Sequence, residues 1–104
     1  MEFPIKRQDL ISLLDITDAF IKRLEEEELI AAGATEYDEE SYELIRLAAS
    51  LVNELEVNMP GVEVVLNMRR QMLRMQREFE ATIRQLHQHI KELQERLAEL
   101  EGGR

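Results

Sequence analysis

Apolar residues recur with a helical period in four segments of the chain, and short breaks separate these segments. The first predicted helix, Lys6–Leu14, follows Pro4 and is ended by the turn Asp15–Thr17. Thr17 can cap a second helix, because its side chain can accept a hydrogen bond from a free N–H group of the first turn. Four apolar residues of that second helix can face inward: Phe20, Ile21, Leu24 and Leu29.

A third helix is predicted after a short interruption. Gly33 breaks the helical pattern, and Thr35–Tyr37 is a candidate for a brief extended segment. The third helix begins at Asp38 or Ser41, with acidic residues in its first turn, where the helix dipole favours them. Its apolar stripe has a period of 3.6 residues and consists of Tyr42, Ile45, Ala49 and Val52, joined by Leu44, Ala48, Leu51 and Leu55.

The fourth predicted helix is by far the longest. It follows the break Asn58–Gly61, in which Pro60 suits an early helical position. Neither Pro nor Gly interrupts the chain from Val62 to about Leu100, which corresponds to roughly 55–60 Å of helix. From Ile83 onward the apolar steps alternate between three and four residues, as in a heptad seam with Ile at a and Leu at d. Two consecutive steps of four before it form a stutter, which locally unwinds a supercoil.

The apolar seam of this helix predicts a second copy of the chain as a partner. A head of about 65 residues cannot cover so long and narrow a seam, so we expect an all-α protein with a head, residues 1–66, and a coiled-coil dimerisation helix, residues 67–104. The seam leaves parallel and antiparallel homodimers open. The predicted dimerisation residues are Met72, Met75, Phe79, Ile83, Leu86, Ile90, Leu93, Leu97 and Leu100.

Composition narrows the possible classes of function. The chain has no cysteine, which excludes disulfides, thiolate metal sites and a cysteine nucleophile. We find no glycine-rich phosphate loop, no nucleophile–base pair and no metal cluster, so we expect neither enzymatic activity nor a cofactor. The N-terminal segment lacks the apolar region of a signal peptide, and no apolar run reaches the roughly 20 residues of a membrane span, so we expect a cytoplasmic protein.

Charge is distributed unevenly along the chain. Residues 1–66 contain 16 acidic and 5 basic residues, a net charge of −11, whereas residues 67–104 contain 8 basic and 6 acidic residues, a net charge of +2. An acidic head repels phosphate and attracts a basic protein surface over roughly a Debye length. The start of the long helix carries a basic patch that can contact either nucleic acid or an acidic head, namely Arg69, Arg70, Arg74 and Arg77.

Residues 15–30, DITDAFIKRLEEEELI, resemble the helix-turn-helix of mercury-resistance (MerR) type regulators. The pattern of that family runs Gly-Val-Ser-Pro-Arg-Thr-Leu-Arg-Tyr-Tyr-Glu-Glu-Glu-Gly-Leu-Leu, followed by a basic wing and by Tyr-Asp-Glu-Glu-Asp at the start of a helix. The sixteen residues align with it without a gap, and YDEE at residues 37–40 matches the start of its third helix. The resemblance implies a MerR-like helix-turn-helix head.

The departures from that pattern fall on the positions that contact DNA in the family. Ala19 replaces the first arginine of the recognition helix, Arg23 replaces a tyrosine, and Glu28 replaces the glycine before the leucine pair. The wing is reduced to about residues 31–36 and contains neither Lys nor Arg. Because DNA affinity rests on several phosphate contacts and only Lys22 and Arg23 remain to make them, the pattern disfavours DNA as a partner.

Residues 53–68, NELEVNMPGVEVVLNM, are similar to the Trp/Met-Pro-Gly-Ile/Val segment of the CbpM-type chaperone modulators. These small bacterial proteins have a truncated MerR-like head and a C-terminal helix, and the acidic head and the chain length also agree. Members of that family bind the J-domain of a DnaJ-like co-chaperone of the curved-DNA-binding type and block its action on DnaK. The resemblance covers nearly the whole chain and implies the same role here.

Two acidic clusters are the predicted contacts for a basic J-domain surface. Each has a simpler interpretation, as a solvated helix face partly paired with nearby bases or as a helix N-terminus stabilised by its dipole. A MerR-type transcriptional regulator and a structural coiled-coil adaptor with an inert head are the alternative functions. The predicted partner-binding residues are Glu25, Glu26, Glu27, Glu28, Asp38, Glu39, Glu40 and Glu43.

Overall fold

A computed structural model describes residues 1–102, which form four helices and two short strands. The chain is mostly helical, so the predicted helical class is confirmed, with a small sheet in addition. No helix among the described residues is both long and apolar enough to cross a membrane. In chain order the elements are β1 Ile5–Lys6, α1 Arg7–Leu14, α2 Asp18–Glu26, β2 Glu36–Tyr37, α3 Glu39–Asn53 and α4 Met59–Gly102.

The chain divides into two compact units, which we call the head, Met1–Arg69, and the coil segment, from Arg70 onward. The head contains one hydrophobic core, to which all four helices contribute, including the first turns of α4. The inward-facing residues predicted for α2 are confirmed, whereas Leu55, predicted to join the stripe of α3, is 67% exposed beyond the helix end. The buried core residues are Leu10, Ile21, Leu24, Leu29, Tyr37, Tyr42, Ile45, Ala48, Leu51, Val62 and Leu66.

The two strands pair antiparallel, with Ile5 opposite Tyr37 and Lys6 opposite Glu36. One further backbone bond continues this pairing, from the N–H of Arg7 to the carbonyl oxygen of Thr35 at 2.8 Å. The predicted extended segment before α3 is therefore confirmed. The prediction that the first helix begins at Lys6 is wrong, because Lys6 belongs to β1. Its extended backbone is stabilised by a partner thirty residues away, which local periodicity does not reveal.

Side-chain caps fix the starts of the later helices. Thr17 Oγ1 accepts from the N–H of Phe20 at 3.1 Å, as predicted for α2. Asp38 Oδ1 accepts from the N–H of Ser41 at 2.8 Å, so Asp38 is the N-cap of α3. Because these oxygens satisfy donors that have no partner within the helix, each cap contributes about 1 kcal/mol.

The Met-Pro-Gly break is the start of α4, which begins at Met59, so the early helical position predicted for Pro60 is confirmed. Asn58 Oδ1 accepts from the N–H of Gly61 at 2.9 Å, which caps the helix. A Cβ atom at Gly61 would lie only 2.6 Å from Cγ1 of Val57. Glycine at this position therefore allows the preceding loop to fold back closely over the first turn of the helix.

The apolar pattern indicates that α2 extends to Leu29, but the helix ends at Glu26, and Glu28 after it has a left-handed backbone. Glu28 has φ of 57°, its N–H donates to the carbonyl of Glu25, and the N–H of Leu29 donates to the carbonyl of Leu24, both at 3.0 Å. These two bonds define a Schellman motif, in which glycine is the usual left-handed residue. The reversal returns Leu29 to the core, where it is 4% exposed.

A Glu28→Gly substitution is expected to stabilise the protein by roughly 0.5–1 kcal/mol. Glycine relieves the steric cost of the left-handed backbone, which exceeds the extra entropy that it gives the unfolded chain. Urea unfolding followed by circular dichroism measures the change. The matched control is Glu27→Gly, one residue earlier with φ of −83°, which is expected to destabilise the protein. Equal effects of the two substitutions would contradict a strained Glu28.

Candidate protein-binding site

A single arginine organises the side of the head that carries the second-helix acids. Arg7, the first residue of α1, places Nε 2.9 Å from Asp18 Oδ1 and an Nη atom 3.1 Å from Glu25 Oε1. Its other Nη atom lies 3.3 Å from the carbonyl oxygen of Ala34 and 3.4 Å from the hydroxyl of Tyr37. The planar guanidinium thus joins the starts of α1 and α2, the end of α2 and the segment before α3.

Glu25 is an internal residue of this network rather than part of an open surface. Its side chain is 10% exposed, and its second carboxylate oxygen accepts from the backbone N–H of Gly33. This N–H, and after it the guanidinium of Arg7, hold the pKa of the Glu25 carboxyl below its ordinary value, although desolvation opposes the shift. The role of Glu25 in partner binding stays a prediction, but both of its oxygens already have partners within the head.

The remaining glutamates of the cluster extend to the end of α2. Glu26 and Glu28 are exposed, and Glu27, at 35% side-chain exposure, lies 3.5 Å from Nε of Arg23. Glu26 is the last residue of α2, Glu27 is its C-cap and Glu28 is the left-handed residue that follows, so all three acids lie at the C-terminal end of the helix. That end already carries the negative pole of the helix dipole, and the glutamates add to its negative potential.

The acids at the start of α3 have a structural role in part. The backbone N–H of Ser41 holds the pKa of the Asp38 carboxyl below its ordinary value, because the hydrogen bond favours the charged form. Glu43 is bound by Arg46, with Oε2 2.9 Å from an Nη atom. Glu39 and Glu40 are exposed in the first turn. A contribution of these four residues to partner binding stays a prediction.

The basic residues of α2 are engaged with carboxylates on the same helix. Nζ of Lys22 lies 3.2 Å from Asp18, and Arg23 contacts Glu27 as described above. Both pairs are exposed, so each contributes little to stability. They nevertheless reduce the positive potential beside the glutamates at the end of α2, since both bases are paired with carboxylates.

An open groove of about 470 Å³ borders the Arg7 network. Its walls mix both signs of charge with one apolar side chain, and the arginine and Asp18 on its wall are already paired with each other. The groove therefore lacks the apolar and aromatic residues that predominate in small-molecule sites. The residues that line it are Lys6, Arg7, Gln8, Ile11, Asp18, Thr35 and Glu36.

The coil segment leaves its predicted dimerisation residues uncovered in the single chain. All nine of them are between 37% and 73% exposed. Around Met72, Met75 and Phe79 they border a shallow depression of about 450 Å³. Single exposed apolar side chains are common on protein surfaces, whereas a continuous row of them is not.

Sequence reasoning identified the acidic residues but missed Arg7, which pairs with Asp18 and Glu25 and so leaves only some of the acids exposed. A helical pattern assigns Arg7 to the first turn of α1 without indicating any partner. Its contacts come from residues 11 to 30 positions further along the chain. One basic residue beside a surplus of carboxylates was the available signal, since a guanidinium that becomes half-buried needs several acceptors.

Among the described residues, no group of three or more His, Asp or Glu side chains is placed to hold a metal ion. Comparison of the chain with protein-family models, with curated proteins and with solved structures gave no match. The candidate site therefore rests on the geometry and electrostatics of the head itself.

The Arg7 network predicts that the head loses stability in acid. Because the pKa values of Asp18 and Glu25 are lowered on folding, their contribution is present above the unfolded values, about 3.9 and 4.3. It is lost as the pH falls through the lower folded values. Urea unfolding at pH 7, 5, 4 and 3 is expected to show this loss, and Glu25→Gln is expected to reduce the slope. The exposed neighbour variant Glu26→Gln is the control and should leave the slope nearly unchanged.

An Arg7→Met substitution is expected to cost about 1–2 kcal/mol at pH 7, because it leaves partly buried acceptors unpaired. Arg7→Lys should recover little of this loss, since one ammonium group cannot span Asp18 and Glu25 as the guanidinium does. Urea unfolding measures both variants. Wild-type stability of Arg7→Lys would show that charge alone, without the fork geometry, holds the network together.

Proposed function

We propose that this protein is a chaperone modulator that binds the J-domain of a DnaJ-like co-chaperone of the curved-DNA-binding type and thereby inhibits its stimulation of DnaK. The observation that carries the proposal is the acidic end of α2, formed by Glu26, Glu27 and Glu28. J-domains present a basic helix to DnaK, and an acidic surface of this kind is complementary to it in charge. Inhibition follows from competition, because a J-domain held by this surface is not free to contact DnaK.

The backbone supports the resemblance on which the proposal rests. The family pattern of the MerR-type regulators has glycine at two positions that correspond to Asp15 and Glu28. Both residues have left-handed backbones here, with φ of 53° and 57°, and both end a helix. At both positions at which the pattern has glycine, this head therefore has a backbone that glycine adopts easily, and Glu56 is a third left-handed residue outside the pattern.

The identity of the residue at the second of these positions favours recognition of a basic protein. Glu28 adopts a conformation that glycine tolerates better, and it is exposed at the end of an acidic cluster. A strained surface residue without a packing role is a reason to look for a functional one. Its negative charge would oppose a phosphate backbone and favour an ammonium or guanidinium group.

Calorimetric titration of the full chain with a J-domain from the same organism tests the proposal. Binding is expected at about 50 mM salt and should weaken several-fold by about 300 mM, because exposed charges are screened. The double variant Glu26→Lys/Glu28→Lys is expected to weaken binding by about tenfold or more at the lower salt concentration.

The matched control is Glu54→Lys/Glu56→Lys, which makes the same change in net charge at exposed acids beyond the end of α3. This variant should lose much less affinity if the end of α2 docks locally. Equal losses would mean that only the overall charge of the head matters. If none of the organism's J-domains gives a heat of binding and the protein shifts promoter DNA in a gel, the proposal is wrong. The protein would then be a transcriptional regulator.

A further inference from the structure

The face of α4 opposite the apolar seam carries a row of exposed arginines. The four arginines fall within about 80° of the helix circumference, and their mean direction is about 180° from that of the seam. Any partner that covers the seam therefore leaves this face accessible. We call the residues that follow one another along it the arginine row: Arg70, Arg74, Arg77, Ala81, Arg84 and Gln88.

Most of the positive charge of the row is not neutralised within the chain. Among residues 1–102, no carboxylate forms an ion pair with Arg70, Arg74 or Arg84. Arg77 already interacts with another residue of the chain. Four bases of the head, by contrast, pair with carboxylates. The three free guanidinium groups of the row lie over 14 residues, or about 21 Å of helix.

Charge reverses further along the same line of the helix. Residues 70–84 contain four arginines and two glutamates, a net charge of +2, whereas residues 85–102 contain one lysine, one arginine and four glutamates, a net charge of −2. An anionic partner on the row therefore meets like charge about 12 Å beyond Arg84. The acids that continue the line are Glu92, Glu95 and Glu99.

The composition of the row favours a nucleic acid over a membrane or an acidic protein. It contains one alanine and no larger apolar residue, so it has nothing to insert into a membrane, and immersion of the seam would turn it toward water. The centre of a protein interface is commonly apolar or aromatic, and exposed ion pairs alone contribute little. Nucleic-acid interfaces are polar and strongly positive, and each phosphate contact gains from the release of counterions.

We propose that the arginine row binds the phosphate backbone of a single-stranded nucleic acid. Arg70, Arg74 and Arg84 donate hydrogen bonds to phosphate oxygens, for which the planar guanidinium group is well suited. Contacts to phosphates carry no sequence information, so the row binds strands of different sequence alike. This activity is separate from the proposed binding of a J-domain, which uses the acids of the head.

The short length of the basic line favours a single strand over a duplex. Double-stranded DNA is stiff over about 150 base pairs, so a duplex that follows the helix axis along the row must continue beside the acidic line. A duplex that crosses the helix reaches only part of the row. A single strand is flexible enough to follow the row and to leave the helix before the acids. Its unpaired bases can also stack on the guanidinium planes.

Fluorescence anisotropy of a labelled strand of about twelve uridines, titrated with the full chain, tests the proposal. Three phosphate contacts to a single strand predict that the logarithm of the binding constant falls with the logarithm of salt concentration with a slope of about −2. Duplex DNA of the same length is expected to bind several-fold more weakly. No binding of the strand at about 50 mM salt would overturn the proposal, as would equal or tighter binding of the duplex or of an oligoglutamate peptide.

Arginine variants test whether the row is the contact surface. Arg70→Gln/Arg74→Gln is expected to weaken binding of the uridine strand about tenfold or more at 50 mM salt and to reduce the slope by about 1 to 1.5. Circular dichroism should show unchanged helix content, because glutamine is a good helix former.

The matched control is Lys91→Gln/Arg96→Gln, which makes the same change in net charge at exposed positions of the acidic half. It should change the affinity by no more than about twofold if the contacts are local to the row. An equal loss in this control, or a larger loss in Lys22→Gln/Arg23→Gln on α2, would overturn the assignment to the row. Titration of Arg70→Gln/Arg74→Gln with the J-domain separates the two proposals, since its J-domain affinity should be unchanged.

Discussion

The contacts of one guanidinium group, that of Arg7, determine the shape of the acidic side of the head. Hydrophobic burial alone would bring α1, α2 and the segment before α3 together, but apolar contacts are not directional. Arg7 adds direction, since its nitrogen atoms reach Asp18, Glu25, Ala34 and the hydroxyl of Tyr37. The same residue also continues the pairing of the short sheet, because its backbone N–H donates a hydrogen bond to the carbonyl oxygen of Thr35. The position of the loop after α2 therefore depends on a charge near the start of the chain.

That network also separates the functions of four consecutive glutamates. Glu25 lies on the face of α2 that contacts Arg7, so its side chain faces inward. Glu28 has a left-handed backbone that ends the helix, and Leu29 after it is buried in the core. Between these two residues, Glu26 is exposed and Glu27 is half-exposed. A run of identical residues thus contains a structural ion pair, a helix terminator and a candidate docking surface, which are distinguished by the contacts of Glu25 and by the left-handed backbone of Glu28.

The sequence predicts those features that depend on neighbours in the chain. The helices, the cap at Thr17 and the inward faces of α2 and α3 follow from residues within one or two turns. The sheet and the Arg7 network depend on partners up to about thirty positions away, so no periodic pattern announces them. The early end of α2 was missed because a glutamate occupies a position at which glycine would have been the signal.

Charge serves different purposes in the two units because its arrangement differs. In the head, the surplus of acids at the end of α2 has few bases to neutralise it, so its negative potential extends into the surrounding solvent. In the coil segment, equal and opposite halves cancel along one helix, so a distant partner experiences little net field. The net charge of the chain is therefore concentrated in the head, whereas the coil segment combines nearly balanced charge with an uncovered apolar seam.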